Sequence, residues 1–269
     1  MMTTATRALA LVALLTIAAP PAAHACGAAY PGGPVMCDFP RNGAHSSSSH
    51  PAIARLATSY AFTSTTILFG NGRRADLTRH AIFGSTQIPF NRSNTLTAQI
   101  GAGGIAGGEL THGAARDTIG PGFAAFSGIA WRVVDDHPTS PIPFVQLTAT
   151  LSFTHMLTRT DDHGTRTDGS TSPNAQPETP RFTALDLRAS AIAGKTIANV
   201  FTPYVTARAF GGPIAWHFDG VPVTGTDLYK YQLGGGLSLA LFDRKLDLFA
   251  EGIALGERGL AAGIGTTFF

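Results

Sequence analysis

A chain of 269 residues with 13% charged residues, 31 glycines and a formal net charge of +2 is long enough to bury a sizeable core, yet poor in solubilising charge. Near-neutral charge leaves no basic footprint for nucleic acid, and no apolar run after the N-terminal one reaches the length of a membrane-spanning helix. Thr, Val, Phe, Tyr and Gly recur in segments bounded by turn residues, without a sustained 3.6-residue period, so the chain reads as all-β.

The first 25 residues carry one cation, Arg7, a short apolar run from Ala8 to Ala19, and an Ala23-His24-Ala25 cleavage site. That sequence of features predicts a cleaved secretory signal peptide over residues 1–25. Cleavage after Ala25 leaves Cys26 as the first mature residue, which raises lipidation as an alternative; Ala23 stands where lipoproteins prefer Leu. The expected state is a disulfide between Cys26 and Cys37, closing a Gly/Pro-rich loop in an oxidising compartment. Two cysteines do not complete a zinc tetrahedron, so no metal is assigned. Residues 26–53, which include the serine run before His50, read as an N-terminal extension, and 54–269 as the main domain.

About ten spanning strands follow, near 55–69, 77–90, 94–109, 121–134, 142–158, 181–194, 200–217, 226–242, 245–254 and 259–269. Period-two alternation is clear in the second half. Val145, Leu147, Leu151 and Phe153 alternate with Gln146, Thr148, Thr150, Ser152 and Thr154. Leu185 and Leu187 alternate with Asp186, Arg188 and Ser190; Tyr231, Leu233, Leu237 and Leu239 with Gln232, Gly236 and Ser238; Leu246 and Leu248 with Asp247, Phe249 and Glu251. Such alternation suits a sandwich with a leucine core and equally a barrel with leucines in lipid. Long strands with Gly, Ser and Thr on the minor face favour the narrow lumen of a transmembrane antiparallel β-barrel. Eight or twelve strands stay open, because Pro89 and the Gly103-Gly104 pair interrupt the early segments. With both ends on one side, the connections at 91–93, 135–141, 195–199 and 243–244 are short. Those at 70–76, 110–120, 159–180, 218–225 and 255–258 fall on the other side and include the longest.

The last segment, GLAAGIGTTFF from Gly259 to Phe269, alternates, lacks charge and ends on Phe268 and Phe269. It resembles the C-terminal assembly signal of Gram-negative outer-membrane β-barrels, although Leu260, Ala262, Ile264 and Phe268 share the phase opposite to Phe269. The resemblance implies export through the periplasm, residence in the outer membrane, contact with membrane lipid and lipopolysaccharide, and insertion by the barrel-assembly machinery. It assigns no substrate-specific family.

With polar phases inward, Asp186, Arg188, Arg208, Lys230 and Glu251 converge on one enclosed space, where opposite charges pair. The reading is a salt-bridged plug, with a solute-selective constriction as the alternative and Tyr204 and Gln232 as supporting hydrogen-bond partners. Ser152 and His155 fall on opposite faces of a strand and cannot act together. The Asp- and His-containing loop at 159–180 lacks a calcium-loop spacing and reads as solvated. Trp216, His217 and Phe218 read as girdle residues, or as contacts for a hydrophobic ligand. The function expected is structural or small-solute transport, without catalysis or cofactor. A binding protein using its outer loops and a soluble periplasmic carrier are the alternatives.

Overall fold

The computed structural model describes residues 53–90, 95–113, 115–136, 140–160, 180–198, 200–218, 221–242 and 245–268. These contain twelve strands and no helix: β1 (Ala54–Phe69), β2 (Arg74–Pro89), β3 (Leu96–His112), β4 (Ala115–Val134), β5 (Phe144–Thr160), β6 (Arg181–Gly194), β7 (Phe201–Gly211), β8 (Ile214–Phe218), β9 (Val221–Asp227), β10 (Tyr231–Leu241), β11 (Leu246–Gly256) and β12 (Arg258–Phe268). Every pairing is antiparallel, and β12 returns to β1 with Ala54 opposite Phe268, so the sheet closes. The fold is a closed ten-strand barrel of β1 to β7, β10, β11 and β12, carrying one extra hairpin, β8 and β9.

That hairpin changes the strand number along the barrel axis. At the end bearing both termini, β7, β10, β11 and β12 complete a ten-strand circuit. At the opposite end these four strands have stopped. There β8 pairs with β6, with Phe182 opposite Trp216, while β9 pairs with β1, with Ile67 opposite Asp227. The wall above is therefore an eight-strand circuit of β1 to β6, β8 and β9. The sequence reading had 200–217 as one strand and 218–225 as loop. The break comes at Gly211-Gly212-Pro213: Gly211 takes φ +156°, and a Cβ on Gly212 would collide with the Leu185 carbonyl oxygen.

The expected connections at 70–76 and 110–120 also shrink. β2 starts at Arg74, and β3 and β4 pair as far as His112 opposite Ala115. They stay paired because Ala75, Leu77, Leu110 and Ile119 point into a core that only continued strands can line.

Faces alternate as a membrane barrel requires. Leu151, Leu187, Val205, Leu233, Leu260 and Ile264 are exposed on the outside, where a water-soluble barrel would carry charge. Trp131 and Phe123 are both outward on β4, eight residues apart. At about 3.3 Å per residue and a tilt near 40°, they bracket an apolar band roughly 20 Å tall. A closed wall leaves no backbone edge within that band, as hydrocarbon demands.

Candidate functional site

The lumen is built in layers. On the β6, β7, β10 and β11 side, at mid-height, inward residues form two linked ionic clusters. Arg208 donates through Nη2 to Oε1 of Glu251 at 2.6 Å and through Nη1 to Oε1 of Gln232 at 3.2 Å; the Tyr204 hydroxyl donates to Oε2 of Glu251 at 3.1 Å. Arg188 donates to Oε2 of Glu257 at 2.8 Å and to Asp186, and lies 4.4 Å from the centre of the Phe210 ring. Gln232 joins the clusters, because its amide nitrogen also donates to Glu257. The Asp186 carboxylate further accepts from the Gly211 backbone N–H at 3.1 Å. Each buried charge thus meets an opposite charge and further hydrogen bonds, the condition under which ions survive out of water.

Nearer the termini, Arg55 donates to Asp247 at 3.0 Å, with 0% and 1% of the two side chains exposed. Gly265 makes room for this pair, since a Cβ there would strike the Arg55 guanidinium. Arg132 lies 4.3 Å from the centre of the Phe144 ring and donates to Gln146 at 3.2 Å.

Beyond the ionic layer, toward the eight-strand end, the filling turns apolar: Ile67, Phe69, Leu77, Leu110, Met156, Phe182, Ile214 and Trp216 belong to one buried cluster. Trp216 packs 5.7 Å from Phe69, centre to centre, and donates its indole N–H to the Thr158 hydroxyl at 3.1 Å. Eight strands enclose just enough space for side chains to fill. The enclosed space between Ala61, Arg79, Phe83 and Ile105 is ≈ 10 Å³, about one water.

One charged group outside the spanning strands is perturbed. Burial would raise Asp136, in the β4 to β5 connection, but hydrogen bonds from Lys195 at 2.5 Å and from Thr196 hold it below the usual carboxylate range.

Four of the five residues expected in the lumen, Asp186, Arg188, Arg208 and Glu251, face one another there, supported by Tyr204 and Gln232. Lys230 does not join them and is corrected: it lies exposed in the crossing from β9 to β10, before β10 begins. Glu257 was expected in an outer connection and is instead 1% exposed, because Gly256, at φ +79°, turns the β11 to β12 link inward against Tyr231. No local signal marks that inward turn. Arg55 opens the first strand, where alternation was hardest to read. Trp216 is also corrected, from the rim to the core, at 3% exposure.

Ser152 faces the lumen, while His155 faces outward and meets the Thr183 hydroxyl at 3.0 Å. Phe268 is exposed on the outer face, in phase with Ile264 and Leu260. Cys26, Cys37, Phe269, the signal segment and residues 161–179 lie outside the described residues. Among the described residues, no three His, Cys, Asp or Glu side chains gather as a metal site.

A closed antiparallel wall, apolar outside and ion-paired within, defines a transmembrane β-barrel. No family model matches the chain, and no curated protein matches it. Among solved structures, the translocator domain of the autotransporter NalP from Neisseria meningitidis is 14% identical, with 82% of this chain and 90% of that one covered, at a TM-score of 0.42. The outer membrane protease OmpT from Escherichia coli is 9% identical over 87% and 99%, at 0.46. The transport unit of the autotransporter AIDA-I from Escherichia coli is 8% identical over 84% and 93%, at 0.41.

Proposed function

We propose that this chain is a structural outer-membrane barrel, with its termini on the periplasmic side and its lumen shut to solutes. The observation that carries the reading is the change from ten strands to eight above the Arg208 and Arg188 clusters, with Trp216, Phe69 and Met156 filling the narrower end. A solute would have to displace both an apolar core and buried ion pairs. The cluster of Asp186, Arg188, Arg208 and Glu251 then acts as a plug that stiffens the wall, and no reaction is assigned to it.

In this reading residues 1–25 direct export, residues 26–53 form a periplasmic extension closed by Cys26 and Cys37, and Phe268 and Phe269 present the chain to the barrel-assembly machinery. Swelling of liposomes reconstituted with the folded protein tests the plug. Swelling in arabinose no faster than in protein-free liposomes is expected. Rapid, dose-dependent swelling would transfer the protein to small-solute transport.

A further inference from the structure

Past the apolar core of the eight-strand end the lumen turns polar once more, with groups that take no part in the plug. His112 at the end of β3 and Asp117 near the start of β4 both point inward, in phase with the buried Leu110 and Ile119. Asp117 stands opposite Leu110 and His112 opposite Ala115, so His112 and Asp117 form a diagonal pair across the hairpin. The turn at Gly113, with φ +60°, brings the two strands into that register. Asp117 lies six residues beyond Phe123 on β4, about 15 Å above the edge of the apolar band for a tilted strand.

The two groups are poorly matched as a simple ion pair. His112 Nε2 lies 3.3 Å from Asp117 Oδ2, whereas a charge-assisted N–H to oxygen bond closes to about 2.7–2.9 Å. The other carboxylate oxygen, Oδ1, is buried and meets no hydrogen-bond partner among the described residues, and Asp117 as a whole is 0% exposed. Leaving such an oxygen unmatched is costly. The nearby Thr158 hydroxyl cannot supply a proton to it, because it accepts from the Trp216 indole at 3.1 Å and donates to the Pro180 carbonyl oxygen at 3.3 Å.

The same spacing suits a metal ion. An imidazole nitrogen and a carboxylate oxygen each about 2.0–2.1 Å from a tetrahedral divalent ion sit about 3.3 Å apart. A mixed nitrogen and oxygen donor set favours zinc or copper over magnesium or calcium. His112 keeps 16% of its side chain exposed, which opens the site to the outer mouth, while the apolar cluster beneath separates it from the ionic layer.

We propose that His112 and Asp117 bind a divalent transition-metal ion at the outer mouth of the barrel, through Nε2 and the carboxylate, with water completing the coordination. The ion supplies the positive charge that Oδ1 lacks. It also pins the tip of the β3 to β4 hairpin beside Trp216, whose ring centre lies 5.4 Å from that of His112. The site is independent of whether the lumen is shut.

Trp216 provides the readout. The chain has two tryptophans, so Trp131→Phe leaves Trp216 as the sole indole, and a bound Cu²⁺ ion beside it quenches its fluorescence. With the full chain folded in zwitterionic detergent, Cu²⁺ should quench Trp216 saturably, EDTA should reverse the effect, and Zn²⁺ should compete. His112→Gln and Asp117→Asn, each added singly, should weaken the apparent affinity by about tenfold or more, as loss of one of two protein ligands predicts. His217→Gln, next to Trp216 but on the outer face, should leave it unchanged. A heat-shifted band for each variant establishes that it is folded. Electron paramagnetic resonance of the wild-type chain loaded with Cu²⁺ should show coupling to imidazole nitrogen, a readout that needs no variant. Quenching that never saturates, undiminished affinity in His112→Gln, or a spectrum with oxygen ligands alone would each overturn the proposal. So would a loss in His217→Gln equal to that in His112→Gln, by moving the ion to the outer face.

Discussion

Arg208 on β7 and Glu251 on β11 meet at 2.6 Å across the intervening strand β10, and neither side chain has any solvent exposure. The pair ties together strands that are not neighbours, and Tyr204 and Gln232 take up further valences of the same two groups. Its place explains its cost and its use: desolvation opposes the two charges, but leaving either one alone would be far worse.

A double-mutant cycle should therefore be strongly non-additive. Arg208→Met or Glu251→Leu alone is expected to cost about 3–5 kcal/mol, and the two together much less than their sum. Urea unfolding in lipid vesicles, read by loss of the heat-modifiable band, measures it. Additive losses would show that the two residues stabilise the wall independently.

Gln99 is 1% exposed, and neither its amide oxygen nor its nitrogen meets a hydrogen-bond partner among the described residues. Replacing a buried, unsatisfied polar group by an apolar one of similar size removes a desolvation penalty. Gln99→Leu should raise the unfolding midpoint by about 1 kcal/mol in equivalent free energy, measured in the same urea series. A loss of that size would assign the amide a bonding role.

Much of this was legible in the sequence. Alternation set Asp186, Arg188, Arg208 and Glu251 on the inner face because a period of two fixes the face of every residue once one is known. The same rule failed for Lys230, which lies in the crossing just before β10, where period two no longer holds. The narrowing to eight strands was not legible: three-residue pairings such as Phe182 to Ala184 with Trp216 to Ile214 leave no pattern in the chain. Nor was the burial of Glu257, which depends on a turn at Gly256 and on a partner 69 positions away.

The most direct test of the closed lumen is the ionic conductance of the folded wild-type chain in a planar bilayer. The eight-strand apolar core above the Arg208 and Arg188 clusters predicts a flat baseline with no channel steps at either polarity. Regular, reproducible steps from the unmodified protein would contradict it and make those arginines the wall of a pore.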